Sequence, residues 1–150
     1  MGHTFTHLLT HIIFSTKGRV PYLRVEARDD VFAYMGGIIR EIGGAALIIG
    51  GTVDHVHLLT KLRASIALAD VLEVVKTNSS RWIHKQRVLH PKFGWQPGYA
   101  AFSVSDSNAE RVRQYIANQE QHHREISFQE ELVAFLNQHH IGYDPRYLWE

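Results

Sequence analysis

The chain has 150 residues, of which 45% are hydrophobic, and this suits one domain of ordinary size with its own core. It has no cysteine, which excludes disulfides and thiolate metal sites and fits a reducing cytoplasm. The formal net charge is only +1, so charge alone does not indicate a nucleic-acid partner, and no signal peptide or membrane-length apolar run is visible.

The first half of the chain alternates between strand and helix patterns. β-branched and apolar residues predict a strand over residues 4–16, although three histidines at spacing four would also suit one face of a helix. Apolar residues at helical spacing predict a helix over 28–42, ended by a glycine pair. Strands are predicted over 45–49 and 55–62, on either side of a glycine-rich turn.

The second half is predicted to contain a strand between helices. The predicted elements are a helix over 66–86, a strand over 99–105, a helix that ends near 123 and a helix over 128–139. Ser65 is the expected cap of the first helix. Ser107 or Asn108 is the expected cap of the second, with Glu110 placed for a capping box. The aromatic tail, residues 141–150, is expected to dock on the protein.

The order of these elements, β-α-β-β-α-β-α-α, predicts an α+β fold. The first six match the split βαβ, or ferredoxin-like, pattern, which is an antiparallel sheet with helices on one face. The C-terminal helices are added to that unit. Because no internal repeat or low-complexity linker interrupts the chain, residues 1–150 are expected to form a single domain.

The sharpest candidate for chemistry is His55-Val56-His57. Residues two apart on a strand face the same side, so both imidazoles could bind one metal while Val56 points into the core. The pair follows a Gly-Gly turn, and sites are often built where strands begin or end. Taken alone, the pair also fits two half-buried surface histidines.

Tyr115, Gln119 and His122 form one stripe of a predicted helix. Tyr115 could be an ordinary core tyrosine. A phenol is a poor nucleophile at neutral pH, but a metal ion that polarises a phosphodiester would let it attack and form a phosphotyrosine bond. Gln119 offers a third ligand, so that the predicted ligand set is neutral and leaves the ion its full charge.

Rival sites are few. The chain has no Walker-type phosphate loop and no dinucleotide fingerprint. His122-His123 and His139-His140 are adjacent pairs, and neighbours on a helix diverge by about 100°. We therefore expect that neither pair shares an ion and that at least one member of each is exposed.

These motifs together resemble the single-tyrosine HUH transposases of the IS200/IS605 insertion-sequence group. The resemblance covers nearly the whole chain and is carried by HIIFSTKGRVPYL, GGTVDHVHLLTKL, WQPGYAAFSVSDS, VRQYIANQEQHHREISFQEEL and the closing IGYDPRYLWE. His55-Val56-His57 stands at the HUH motif, where U is a hydrophobic residue. Tyr115 stands at the nucleophile of the family and Gln119 at its third metal ligand.

The resemblance implies a small homodimer whose composite active sites combine the HUH pair of one subunit with the tyrosine helix of the other. It implies a Mg²⁺ or Mn²⁺ cofactor, although imidazole usually favours softer ions than magnesium. It also implies cleavage of single-stranded DNA beside hairpins at the ends of a mobile element, through a 5′-phosphotyrosine, in the cytoplasm at the nucleoid. The basic residues at the family's DNA-binding positions are Lys17, Arg19, Arg81 and Lys85.

Two alternatives stay open at this point. A domesticated relative would share the chemistry but process hairpins or repeats without moving an element. A non-catalytic module would bind single-stranded nucleic acid with aromatic residues on its strands. Here the strands carry His, Thr and Ile at the key places instead, which argues against that alternative.

Overall fold

The computed structural model describes residues 2–149. The strands are β1 (Leu8–Ser15), β2 (Ala45–Gly51), β3 (His55–Leu62) and β4 (Ala100–Val104), and the helices are α1 (Val25–Glu41), α2 (Leu68–Lys85), α3 (Ala109–Ala117), α4 (Gln119–His122) and α5 (Phe128–Gln138). Short 3-10 turns, Lys17–Arg19 and Asp106–Asn108, follow β1 and β4. The first strand is therefore shorter than predicted, and α1 begins three residues earlier.

The four strands form one antiparallel sheet in the order β2-β3-β1-β4. The two central strands are β1 and β3, which come from the two halves of the split βαβ pattern. Their register pairs Ile13 with His57 and Ser15 with His55. The predicted α+β, ferredoxin-like fold is confirmed.

Each face of the sheet is covered by its own set of helices. Helices α1 and α2 cover one face, where the core includes Ile12, Phe14, Val56 and Leu58. The C-terminal part of the chain covers the other face, where Ile13 and Phe102 pack with Phe128 and Leu136 of α5. Successive residues of a strand point to opposite faces, so the HUH histidines lie on the C-terminal side.

The start of α2 differs from the prediction. Its N-cap is Ala67, which makes no side-chain cap bond, so the prediction that Ser65 caps this helix is wrong. Ile66 and Leu68 both pack against the main core. Apolar packing, rather than a hydrogen-bonding side chain, therefore determines where this helix begins.

The start of α3 also lacks the predicted cap. Neither Ser107 nor Asn108 accepts a cap bond, and Glu110 completes no capping box, so these predictions are wrong. The 3-10 turn Asp106–Asn108 replaces them, because the Asn108 N–H already donates to the Ser105 carbonyl at 3.0 Å. Such turns satisfy backbone groups that a helix end otherwise leaves open.

The helix predicted to end near residue 123 is broken in two. Asn118, between α3 and α4, has φ −102° and ψ 22°, which is not helical. A capping box does occur later, between Ser127 and Glu130 at the start of α5. It fixes the first turn of the helix that carries Glu131.

The C-terminal tail docks on the protein, as expected. Leu148 packs against the smaller core, and the Arg19 guanidinium lies 5.2 Å from the centroid of the Trp149 ring. None of the helices within residues 2–149 combines the length and apolar character needed to cross a bilayer.

Candidate active site

His55 and His57 project side by side from the start of β3. Both side chains are fully buried, with 0% of their surface exposed, so they are not the half-buried surface residues that the motif alone allowed. Val56 between them packs into the core on the opposite face, as predicted. The strand therefore presents two imidazoles to the space under the C-terminal helices.

Each HUH imidazole is held through its Nδ1 atom. His55 Nδ1 donates to Asp54 Oδ1 at 2.8 Å, and His57 Nδ1 lies 2.8 Å from His11 Nε2. Burial would raise the pKa of Asp54, but its hydrogen bond with His55 outweighs burial and lowers it. Partners of this kind orient metal-binding histidines and leave the other nitrogen free.

Burial keeps the inner imidazoles neutral. It lowers the pKa of His57 to about 4, and burial together with the neighbouring His57 lowers the pKa of His11 to about 3. A neutral imidazole has a lone pair to offer, whereas a protonated one has none. At neutral pH these histidines are therefore in the form that binds metals.

Glu131 of α5 lies at the centre of the site. Its Oε1 atom is 2.9 Å from His57 Nε2 and 3.0 Å from His123 Nε2. Burial would raise the pKa of this carboxyl, but the hydrogen bonds from His123 and His57 outweigh burial and hold it well below its usual range. Glu131 is thus a buried, ionised carboxylate, only 1% exposed.

Tyr115 reaches the same carboxylate from α3. Its hydroxyl donates to Glu131 Oε2 and lies 3.0 Å from His122 Nε2. Burial, and then the contact with Glu131, raise the pKa of Tyr115 well above its ordinary value. The phenol is therefore protonated at rest, beside the HUH pair of its own chain; its ring centroid is 5.9 Å from that of His57.

Gln119 links the histidines to the tyrosine helix. Its Oε1 atom is 3.2 Å from His55 Nε2, and its amide donates to Glu131 Oε2 at 3.3 Å and to the Tyr115 carbonyl at 3.4 Å. The side chain is buried. The four residues singled out from the sequence, His55, His57, Tyr115 and Gln119, are thus brought together.

A glycine in β2 allows α3 to lie this close. Gly50 pairs with His57 across the sheet. A Cβ atom at Gly50 would lie 2.6 Å from the backbone oxygen of Ile116, the residue after Tyr115. Backbone therefore packs on backbone at this point, and any side chain larger than hydrogen would push the tyrosine helix away.

The donor atoms of the site fit a divalent cation. One ligand atom from each of His55, His57, His123 and Glu131 lies within 4.8 Å of the others. Imidazole nitrogens and carboxylate oxygens are the usual ligands of first-row divalent metals. The site has the chemistry that a metal-dependent reaction requires.

The expectation that one member of the first adjacent histidine pair is exposed is wrong. His122 and His123 are both half-buried, and they approach Glu131 from two sides, His122 Nε2 at 3.2 Å from Oε2 and His123 Nε2 at 3.0 Å from Oε1. Helix α4 ends at His122, so the divergence of neighbours along a continuous helix does not apply. For the other pair the expectation is confirmed, because His140 is exposed.

Sequence reasoning missed Glu131 and His11. A signal existed for Glu131, because it lies on the apolar side of α5 between Phe128 and Phe135, where a carboxylate needs a partner. A similar signal existed for His11, a histidine in the middle of a largely apolar strand. Both residues touch the HUH pair only through the tertiary fold.

The four basic candidates lie in two places. Lys17 is exposed just after β1, where Thr16 N–H donates to the Asp54 carbonyl, so it is at the end of the sheet that carries His55. Arg81 and Lys85 are exposed on α2, on the opposite face of the sheet. Beside them the rings of Tyr34 and Trp82 stack at 4.4 Å. Arg19 is half-buried under Trp149.

The chain matches one family model, and the solved structures that resemble it include two transposases. Residues 4–119 match the family described as transposase IS200 like. The crystal structure of a candidate transposase from Deinococcus radiodurans R1 is 26% identical with a TM-score of 0.61, covering 79% of this chain and 96% of that one. A REP-associated tyrosine transposase bound to a REP hairpin is 10% identical with a TM-score of 0.56, covering 79% and 72% respectively, and supports the fold alone. No curated protein matches in sequence.

Proposed function

Because this chain belongs to the IS200-like transposase family, we propose that it is a metal-dependent endonuclease and strand transferase for single-stranded DNA. The observation that carries the proposal is the convergence of the Tyr115 phenol and the two HUH imidazoles on one buried carboxylate. A nucleophile and the ligands of a charge-stabilising ion are thus within reach of one phosphodiester.

Tyr115 is the proposed nucleophile. Its Oη atom attacks phosphorus, the phosphotyrosine bond forms at the 5′ side, and the 3′ oxygen leaves as a free hydroxyl. In the reverse sense, a second 3′-hydroxyl attacks the phosphotyrosine and releases the phenol, so strands are rejoined without ATP. A divalent ion held by His55, His57 and Gln119 would supply Lewis-acid polarisation of the phosphate.

The proton of the phenol needs an acceptor. Two atoms lie within reach, Glu131 Oε2 and His122 Nε2. Glu131 is a weak base because its hydrogen bonds with His123 and His57 overcome burial and keep its pKa low. We therefore assign the proton to His122, since imidazole is the most frequent general base near neutral pH.

The DNA contacts have two proposed sites. Lys17 and Arg19, at the end of the sheet near His55, would hold the strand close to the scissile phosphate. Arg81 and Lys85, with Trp82 between them, would hold the hairpin on the opposite face through phosphates and stacking. Replacing Arg81 and Lys85 together by Ala should weaken hairpin binding in a fluorescence-anisotropy titration and flatten its salt dependence. Unchanged affinity would exclude the second site.

The oligomeric state and location are also proposals. The resemblance implies a homodimer with composite sites, working in the cytoplasm at the nucleoid. The contacts within one chain favour the opposite arrangement, a tyrosine that acts in cis, since Tyr115 lies beside its own HUH pair. Sedimentation of the protein with and without a hairpin would establish how many copies assemble; a monomer under both conditions would exclude composite sites.

A denaturing gel tests the proposed function. Labelled single strands from the flanks of the gene are mixed with the protein and Mn²⁺ or Mg²⁺. We expect a covalent band that requires the metal, is absent with duplex DNA, and disappears in Tyr115→Phe and His57→Ala. Tyr143→Phe, in the tail, is the matched control and should keep the band. Hairpin binding without any band would instead favour a non-catalytic binding module.

A further inference from the structure

Three imidazole nitrogens face one carboxylate oxygen inside the site. Glu131 Oε1 is 2.9 Å from His57 Nε2, 3.0 Å from His123 Nε2 and 3.6 Å from His55 Nε2. His55, His57 and Glu131 are at most 1% exposed, so bulk water does not reach this point. These atoms come from β3 and from two segments far along the chain from it, the residue after α4 and the helix α5.

The Nε2 atom of His55 faces two buried oxygen atoms of the same site. It lies 3.2 Å from Gln119 Oε1 and 3.6 Å from Glu131 Oε1, while His55 Nδ1 is taken by its hydrogen bond with Asp54. Nitrogen and oxygen ligand atoms therefore converge on one buried point, which is the arrangement that a bound cation requires.

His123 belongs to the same group by position. Its ring centroid is 4.4 Å from that of His55, and its Nε2 atom is among the four ligand atoms that lie within 4.8 Å of one another. It is half-buried, with 11% of its side chain exposed.

We infer that His123 and Glu131 are ligands of the same ion as the HUH pair, so that three imidazoles and one carboxylate bind it. The inference rests on the proposed function, which supplies the metal-dependent step. It extends the set of His55, His57 and Gln119 by two residues from the C-terminal part of the chain.

This ligand set has consequences for the choice of metal. Mg²⁺ prefers oxygen ligands and keeps several waters, whereas imidazole nitrogens suit the transition metals. A set with three imidazoles therefore selects Mn²⁺ over Mg²⁺. The carboxylate also neutralises one positive charge of the ion, which strengthens metal binding and weakens the polarisation of the phosphate.

Calorimetric titration of Mn²⁺ into the full-length protein, without DNA, tests the inference. We expect the dissociation constant to rise more than about a hundredfold in Glu131→Gln and in His123→Ala, because loss of a residue that only supports a metal ligand already costs about ten- to a hundredfold. Glu130→Gln and His140→Asn are the matched controls and should stay within about twofold, since both residues are exposed. Glutamine at 130 can still complete the capping box. Wild-type affinity in both ligand variants would overturn the inference.

A spectroscopic count of nitrogens gives a second readout. Electron-spin-echo spectra of bound Mn²⁺ should show three coupled imidazoles in the wild type and two in His123→Ala. If Glu131→Gln does not fold by circular dichroism, the wild-type spectrum decides alone, and two imidazoles there would overturn the inference.

The covalent-band assay keeps this inference separate from the proposed function. Mn²⁺ binding that depends on Glu131 and His123, without any covalent DNA adduct, would refute the nuclease and leave the metal site standing. A wild-type yield of adduct in both ligand variants, with unchanged Mn²⁺ affinity, would refute only the inference.

Discussion

The two HUH imidazoles have different partners at their Nδ1 atoms. Asp54 gives His55 a negative partner, whereas His57 is paired with a second imidazole, His11. Burial keeps His11 neutral, so the pair adds no charge to the site. The pair makes the metal-free site sensitive to acid, because protonating either ring places a charge in the core.

We expect His11 to make the metal-free protein less stable in acid. Its pKa is lowered from 6.5 to about 3, so the unfolded chain binds a proton more readily than the folded one between these values. The free energy of unfolding should therefore fall as pH falls from about 6.5 toward 3. Between pH 7 and 4 this group should lower the free energy of unfolding by an amount on the order of 3 kcal/mol. Urea unfolding at both pH values, with a chelator present, measures it.

The variant His11→Gln removes the titrating group. Its free energy of unfolding should therefore fall less than that of the wild type between pH 7 and 4, by that same amount. His140→Asn, at an exposed position, should follow the wild type. If His11→Gln and the wild type lose stability equally between pH 7 and 4, His11 is not the acid-sensitive group.

His122 is predicted to act on the proton and not on the metal. His122→Ala should slow single-turnover adduct formation by about 10²- to 10⁴-fold, because a positioned general base contributes that much. Its affinity for Mn²⁺ should stay near that of the wild type, in contrast to His123→Ala. Adduct formation at the normal rate would assign the proton to another acceptor, and Glu131 is the other one within reach of the phenol.

At the level of elements, the position of α3 on β2 sets where Tyr115, the proposed nucleophile, lies. A Cβ atom at Gly50 would be only 2.6 Å from the Ile116 carbonyl oxygen. Gly50→Ala should therefore displace α3 and reduce adduct formation by about 10²-fold, the effect expected when reacting groups are misplaced by about 1 Å. A Cβ atom added at Gly37, within α1, would lie at ordinary contact distance from its neighbours. Gly37→Ala should therefore fold and cleave normally. Equal activity of the two variants would show that α3 adjusts freely.

The elements themselves were predictable because their apolar residues repeat with the period of a strand or a helix. The same periodicity found His55 and His57, which lie on β3. It also found Tyr115 and Gln119, although Asn118 divides their predicted helix into α3 and α4. Caps were less predictable. A 3-10 turn stands before α3 in place of the expected side-chain cap. At α2, packing of Ile66 and Leu68 determines where the helix begins.

The remaining site residues depend on how elements pack together. Glu131 reaches His57 only because α5 lies across the C-terminal face of the sheet, and His123 points inward only because α4 ends one residue earlier. Local sequence patterns do not carry the position of one element on another. The local signs that something polar lay opposite were a carboxylate on the apolar side of α5 and a histidine within β1.

For the whole molecule, one chain contains both halves of the proposed chemistry. One chain with Tyr115→Phe and one with His57→Ala can be co-expressed with different tags and purified as a mixed pair. This pair should form no adduct if the tyrosine acts in cis, as its position beside its own HUH pair suggests. Recovery of adduct by the mixed pair would show that each tyrosine serves the other subunit. The wild type carrying both tags controls for assembly.

The backbone contact between Gly50 and Ile116 also bears on how such a protein can diverge. The height of the tyrosine helix above the sheet is set by main-chain atoms, which every sequence shares, and by the single hydrogen atom of a glycine side chain. Side chains elsewhere on α3 can change without moving the hydroxyl of Tyr115. Position 50, by contrast, accepts no side chain unless this helix is displaced.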